Sequence, residues 1–281
     1  MNPAFAIYKS FFQMNKIKIF IELTRLDKPI GIMLLFWPCL WGLTLSFNKI
    51  QNTELFIHYI ILFFLGSILM RSAGCICNDI IDENIDKRVS RTKKRPIASG
   101  KIAVNESIFY IILLCSIAFI ILIQFNLLTI ILGLLSMPFA FSYPLIKRIT
   151  YWPQLFLGFT FNWGILLAWT ASVGYISLEP ILLYVSAIFW TLGYDTVYGF
   201  QDIKDDEIIG VKSTSIKFKN NYKFFIGFCY FICLLFLFFL GFLLENKVYY
   251  FFFITFPTMH ILYQMIRLDK KNPNNCPPCK K

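Results

Sequence analysis

The sequence predicts an all-α fold, a polytopic membrane bundle of eight transmembrane helices built as two four-helix pseudo-repeats. Three observations lead there. Of 281 residues, 57% are hydrophobic and 15% charged, where an ordinary soluble domain carries about 25% charged residues. A soluble fold of this size has no interior for 32 Phe and their apolar companions, and disorder is excluded because low hydrophobicity is its signature. Apolar runs long enough to cross a bilayer, which takes about 20 residues per helix, recur along the chain. Lys and Arg concentrate in alternate connections, as membrane topology requires.

In order, the spans fall near residues 30–47, 55–76, 107–124, 127–142, 153–175, 179–199, 222–244 and 248–266. The odd-numbered connections are short, at residues 48–54, 125–126, 176–178 and 245–247, whereas the second and sixth are long and charged. All but two of the 27 Lys and Arg lie in the N-terminal segment, the even-numbered connections with their flanks, and the C-terminal tail. The exceptions are Lys49 and Lys247. The positive-inside rule therefore turns both termini and both long connections toward the cytoplasm. The net charge of +11 is explained by topology, and no nucleic-acid partner is needed. The chain reads as a single membrane domain over residues 1–281, with a cytoplasmic segment at 1–24, amphipathic around 16–25, and an atypical tail at 268–281.

Eight cysteines are scattered, with Cys39, Cys115, Cys229 and Cys233 inside apolar runs, where Cys serves as a small apolar filler. Cys276-Pro-Pro-Cys279 has redox or metal spacing but stands alone on a short polar tail. No signal peptide is evident, and residues 1–21 lack the Arg and Ser content of a transit peptide.

Nine of the 16 acids form two clusters, each where an even-numbered span meets a long cytoplasmic connection. The first is Asn78-Asp79-Ile-Ile-Asp82-Glu83-Asn84-Ile-Asp86, and the second runs from Asp195 through Tyr198 and Asp202 to Asp205-Asp206-Glu207. Asn78, Asp82 and Asp86 stack at i, i+4, i+8, as do Asp202 and Asp206 at i, i+4. Asp195, Tyr198 and Asp202 share the second face. Such a stripe of carboxylates near a bilayer is costly and needs a counter-ion. Mg²⁺ prefers oxygen ligands and commonly bridges one or two carboxylates to phosphates. Arg71 precedes Asn78 by two turns, Arg91-Thr-Lys-Lys-Arg95 follows the first cluster, and Lys147-Arg148 ends the fourth span. Carboxylates, Mg²⁺ and cations together describe a diphosphate clamp. No Gly-rich phosphate loop is present, which sets nucleotide hydrolysis aside.

A diphosphate beside an apolar bundle points to a lipid diphosphate. For an allylic lipid, metals improve the leaving group, the C–O bond ionises, and the site must exclude water. Aromatic faces can stabilise the cation. Tyr143, Tyr151, Trp163, Trp169, Tyr194 and Tyr198 are available.

These residues resemble the UbiA superfamily of intramembrane prenyltransferases, in its hydroxybenzoate branch. The resemblance rests on Arg25-Leu-Asp27-Lys28-Pro29-Ile-Gly31 with Trp37-Pro38, and on Arg71-Ser-Ala-Gly74-Cys-Ile-Cys-Asn78-Asp79-Ile-Ile-Asp82. It extends through Arg91 to Gly100, Tyr143-Pro144-Leu-Ile-Lys147-Arg148, Asp195-Thr196-Val-Tyr198, and Asp202 to Thr214, covering about residues 22–276. It implies that Asn78, Asp82 and Asp86 serve one Mg²⁺ site with Asp79 nearby, and that Asp202 and Asp206 serve a second with Asp205 assisting. It implies diphosphate contacts from Arg91, Lys147 and Lys212, a Tyr143–Lys147 pair at the site, and a receptor for the benzoate carboxylate among Arg25, Arg71 and Arg148. The implied reaction joins isoprenoid C1 from a polyprenyl diphosphate to the ring carbon ortho to the hydroxyl of 4-hydroxybenzoate, in ubiquinone synthesis. The implied location is the bacterial inner membrane, or alternatively the mitochondrial inner membrane. The resemblance also implies a ninth helix, where this chain ends in Asn272-Pro-Asn-Asn-Cys276-Pro-Pro-Cys279.

Related acceptors (haem, chlorophyll, menaquinone or homogentisate precursors) share the acid motifs, but Tyr143-Pro-x-x-Lys147-Arg148 favours hydroxybenzoate. A cation transporter is the reading from another class. Its sites lie near the bilayer midplane, whereas these acids gather at one face. A lipid phosphotransferase would need a DGxxAR opening to its acidic motif, which is missing here.

Overall fold

The computed structural model describes residues 16–88, 92–201, 203, 207–208 and 210–268. Among these residues the regular structure is entirely helical. In chain order the helices are α1 (residues 16–24), α2 (Ile30–Ile50), α3 (Thr53–Ile81), α4 (Glu83–Asp86), α5 (Val104–Leu122), α6 (Leu127–Ile149), α7 (Pro153–Asn162), α8 (Gly164–Val173), α9 (Leu178–Gly199), α10 (Thr214–Lys217), α11 (Tyr222–Leu243) and α12 (Lys247–Arg267).

Seven segments among the described residues are long and apolar enough to cross a membrane: α2, α3, α5, α6, α7 with α8, α9 and α11. They match the first seven expected spans. The eighth is helical over its whole expected length as α12, with Thr255, Thr258, His260 and Gln264 making it more polar than the others. Two spans run further than their apolar runs suggest. Helix α6 continues through Pro138 and Pro144 to Ile149, so Tyr143, Lys147 and Arg148 ride on its last turns. Helix α3, at 29 residues, is about 43 Å long at 1.5 Å per residue. The hydrocarbon core is about 30 Å thick, so α3 is longer than a crossing requires, and Asn78 and Asp79 lie in its last turn.

Contacts divide the chain into two compact units, one of Met1–Phe36 with Ile61–Phe125, the other of Trp37–Ile60 with Asn126–Lys281. In the first, Leu23 of α1, Ala73 and Ile76 of α3, Leu114 of α5, and Ile97 and Ile102 of the α4–α5 connection form one buried cluster. Phe20 packs edge-on against Tyr110 at 5.1 Å. The connection can fold back under the helices because Gly100 takes a positive φ of 73°, a conformation that costs glycine nothing.

In the second unit, α9 lies against α7 and α11. Leu192, Val197, Phe225, Ile226 and Tyr230 form its core. Small residues allow close helix approach, as membrane packing favours. A Cβ at Gly193 would stand 2.5 Å from a Tyr230 ring carbon, and one at Gly42 of α2 would stand 2.5 Å from the Ile165 carbonyl oxygen of α8. Several buried polar groups are paired across helices, because hydrocarbon offers them nothing else. Asn162 Nδ2 donates to Thr191 Oγ1 at 2.8 Å and to the Ala187 carbonyl at 3.2 Å, joining α7 to α9. Ser186 Oγ donates to the Cys233 carbonyl at 2.9 Å. The fifth span is interrupted at Trp163, whose Nε1 donates to the Leu132 carbonyl at 3.1 Å.

Candidate active site

The first acid motif sits where α3 ends. Helical hydrogen bonding carries past Ile81: the Asp82 amide donates to the Asn78 carbonyl at 2.9 Å and the Asp86 amide to the Asp82 carbonyl at 2.8 Å. Asn78, Asp82 and Asp86 are therefore stacked one turn apart. Asp79, Asp82 and Asp86 are all buried.

Two arginines answer this charge. Asp79 Oδ1 accepts from Arg25 Nη2 at 2.5 Å and from Arg95 Nη1 at 3.0 Å. The same Arg95 Nη1 donates to Asp86 Oδ2 at 2.7 Å. Asp79 and Asp86 are seven residues apart, two turns, and so lie on one side within reach of a single guanidinium.

Local structure aims both arginines. Helix α1 closes with the Leu26 amide donating to the Ile21 carbonyl at 3.2 Å, while Arg25 takes a left-handed φ of 56°. This is the closing turn at which helices usually carry glycine. Burial pulls the Arg25 guanidinium down, but Asp79, with Cys75 and Asp86 adding to it, more than offsets this, so the group stands above its ordinary value. Arg95 is set by the turn after α4. Thr92 Oγ1 donates to the Asp86 carbonyl at 3.2 Å, and the Arg95 amide donates to the Thr92 carbonyl at 2.9 Å.

Arg71 lies against the first turn of α2, where a Cβ on Gly31 would stand 2.7 Å from its Nε. The Gly31 of the Lys28-Pro29-Ile-Gly31 stretch thus makes room for a guanidinium.

In the second unit, Lys147 and Arg148 end α6 and are gripped by the segment after the second acid cluster. The Lys212 amide donates to the Lys147 carbonyl at 2.9 Å, and Lys212 Nζ caps the helix at the Ile149 carbonyl at 3.0 Å, lying 5.6 Å from the Tyr151 ring centroid. This segment is fastened to α9 by buried hydroxyls. Thr196 Oγ1 and Thr214 Oγ1 are 2.7 Å apart, Ser215 Oγ donates to the Thr196 carbonyl at 2.8 Å, and the Thr214 amide donates to Gln154 Oε1 at 3.0 Å. Tyr198 is exposed on the last turn of α9. The Tyr194 ring lies 4.8 Å from that of Trp190.

Of the residues expected at the site, Arg91, Asp202 and Asp206 lie outside the described residues, as does Asp205. The structure joins Arg25 to the first acid motif, and Lys212 to Lys147. The sequence named Arg95 only within the basic run after the first cluster, not as the partner of Asp79 and Asp86, and did not single out the Gln154–Thr196–Thr214 set. The i, i+7 relation of Asp79 and Asp86 carries the signal for Arg95. Nothing local marks the hydroxyl set, because its members lie 18 and 60 residues apart.

The donor set bears on a metal. Among the described residues no group of His, Cys, Asp and Glu side chains is drawn together tightly enough to ligate an ion, and Asp79 and Asp86 are turned onto arginines. The stacked amide and carboxylate oxygens of Asn78, Asp82 and Asp86 nevertheless have the chemistry of a hard dication. Mg²⁺ takes few protein ligands and fills its remaining positions with water and phosphate oxygens. The residues present fit Mg²⁺.

Residues 35–280 match the UbiA prenyltransferase family. The chain is 40% identical, over 92% of its own length and 66% of the other, to 4-hydroxybenzoate polyprenyltransferase, mitochondrial, of Drosophila melanogaster. This chain thus spans just under two-thirds of the fly relative. It is 37% identical to 4-hydroxybenzoate octaprenyltransferase of Photobacterium profundum, covering 94% of this chain and 90% of that one. Its fold is similar to that of a UbiA homolog from Archaeoglobus fulgidus bound to GPP and Mg²⁺, with a TM-score of 0.71 at 18% identity, covering 89% of this chain and 88% of that one. With its membrane-spanning helices, stacked acid motif and flanking arginines, this integral membrane chain belongs to the UbiA prenyltransferase family.

Proposed function

We propose that this chain is a Mg²⁺-dependent prenyltransferase that moves a polyprenyl group from its diphosphate to the ring carbon ortho to the hydroxyl of 4-hydroxybenzoate, in ubiquinone synthesis. One observation carries the reading. An oxygen stripe, Asn78–Asp82–Asp86, with both carboxylates buried and Asn78 half-buried, stands at the end of a spanning helix, in a chain 37–40% identical to two enzymes named for prenyl transfer to 4-hydroxybenzoate. Asn78, Asp82 and Asp86 would hold one Mg²⁺, and Asp202 and Asp206 another. When bound, the metal neutralises diphosphate oxygens and so makes a better leaving group.

The chain's own groups do the rest. Arg91, Lys147 and Lys212 contact diphosphate. Arg25, Arg71 and Arg148 are the candidates for the acceptor carboxylate. As the allylic C1–O bond breaks, its electron pair leaves with diphosphate. The faces of Tyr143, Tyr194 and Tyr198 are suited to the cationic carbon. The ring carbon of the acceptor then bonds to C1 and gives up its proton to the released diphosphate or to solvent water. The location is a bacterial inner or mitochondrial inner membrane, with the acid motifs on the cytoplasmic or matrix side.

Membranes containing the chain are expected to form 3-polyprenyl-4-hydroxybenzoate from labelled diphosphate, to stop with a chelator, and to resume with Mg²⁺. Asp82→Ala combined with Asp202→Ala should lower the rate at least about 100-fold. Full activity in that variant, or preference for another aromatic acceptor in a panel, would refute the assignment.

A further inference from the structure

We propose that Asp79 and Arg95 are positioning residues of the first acid motif, and that Asp79, although it belongs to the motif, is not a metal ligand. The inference rests on the metal-dependent reading above and deepens it.

Asp79 has a side chain only 2% exposed, and its Oδ1 already accepts two charged donors, Arg25 at 2.5 Å and Arg95 at 3.0 Å. A carboxylate bound by two guanidinium groups is a strong, directed anchor, and its electron density is drawn toward cations of the protein. Arg95 Nη1 carries two N–H groups, and each has a carboxylate: Asp79 at 3.0 Å and Asp86 at 2.7 Å. Arg25, Asp79, Arg95 and Asp86 thus form a chain of two cations and two anions with no net charge, the condition under which such groups are tolerated in a buried place.

The chain also links three pieces of backbone. Arg25 comes from the end of α1, Asp79 from α3, and Arg95 from the turn after α4, whose own geometry depends on the Asp86 carbonyl through Thr92. Asp86 is the one member that also belongs to the i, i+4, i+8 stripe. Arg95 therefore fixes the direction of a stripe residue while Asp79 fixes Arg95. The motif divides by role: Asn78, Asp82 and Asp86 would hold the ion, Asp86 while its Oδ2 stays bonded to Arg95, and Asp79 holds the frame. Partners that orient metal ligands typically change metal affinity about 10- to 100-fold when removed, without removing the site.

The test uses the full chain in detergent and Mn²⁺ alone, counted and titrated by electron paramagnetic resonance, beside thermal unfolding and prenyl transfer. Asp79→Asn and Arg95→Lys should retain the wild-type number of bound Mn²⁺ ions but bind them about 10- to 100-fold more weakly. Arg95→Lys, which keeps the charge, should be milder than Arg95→Met. Asp82→Asn should lose an ion outright. If Asp79→Asn loses an ion as Asp82→Asn does, Asp79 is a ligand and the proposal fails while the metal-dependent reading stands. If Asp79→Asn and Arg95→Met leave Mn²⁺ affinity unchanged and alter only unfolding, the network is merely structural and the proposal fails. A wild-type chain that binds no Mn²⁺ overturns the metal-dependent reading and this proposal with it.

Discussion

Arg25 combines two features that seldom meet, a left-handed backbone and a charged side chain engaged with a buried carboxylate. A non-glycine residue in that conformation costs about 1–2 kcal/mol, which the ion pair with Asp79 offsets. Arg25→Ala loses the pair and keeps the strain, whereas Arg25→Gly loses the pair and relieves it. Thermal unfolding in detergent should rank wild type above Arg25→Gly, and Arg25→Gly above Arg25→Ala by about 1 kcal/mol; an Ala variant as stable as Gly would contradict the strain argument. Gly31 makes a second residue-scale case. A methyl there would meet the Arg71 guanidinium at 2.7 Å, and a long side chain can swing aside at little cost in stability. Gly31→Ala is therefore expected to unfold near the wild-type temperature but to lower prenyl transfer, about 10-fold if one charge-assisted contact of about 1.4 kcal/mol is lost. An unchanged rate would remove Arg71 from the site.

Among the elements, α7 is held to α9 by Asn162 and by close backbone approach. Asn162 is 2% exposed and donates to groups on two turns of α9. Asn162→Leu keeps the branched shape but is bulkier, leaves the Thr191 hydroxyl without that donor and crowds a polar slot. It should cost about 1–3 kcal/mol, read as a fall in unfolding temperature. Asn162→Leu at wild-type stability would show that the bond contributes nothing to the pairing. The same logic explains the end of α6. Its last carbonyls have no partner within the helix, and Lys212 supplies two donors to them. The residue expected to touch diphosphate thus also fixes the turn that presents Lys147 and Arg148.

For the molecule as a whole, charge bias and helix length give one testable topology. Glu245, in a short connection, and Lys93, in a long basic one, are both exposed. A membrane-impermeant thiol reagent on intact cells or mitoplasts should label Glu245→Cys directly and Lys93→Cys only after permeabilisation. Labelling of both without permeabilisation would overturn the orientation. The exposed apolar side chains along α5, α11 and α12, such as Phe109, Phe231 and Phe253, need no partner protein to explain them, because lipid covers such faces.

The sequence alone determined the all-helical membrane class, the spans and the acid motifs. Hydrophobic run length, one-sided charge and i, i+4 spacing are local, and local patterns survive without a fold. The helical spacing that sets Asn78 one turn from Asp82 and Tyr143 one turn from Lys147 was legible for the same reason. Tertiary structure alone decided which cation answers which carboxylate. Arg25 lies 54 residues from Asp79, and Arg95 is aimed by a turn whose buried Ile97 and Ile102 depend on α1, α3 and α5. Spacing along a helix says which side chains share a face. The partner that crosses to that face is set by packing, because only packing brings distant segments within the roughly 3 Å at which a charge-assisted hydrogen bond forms.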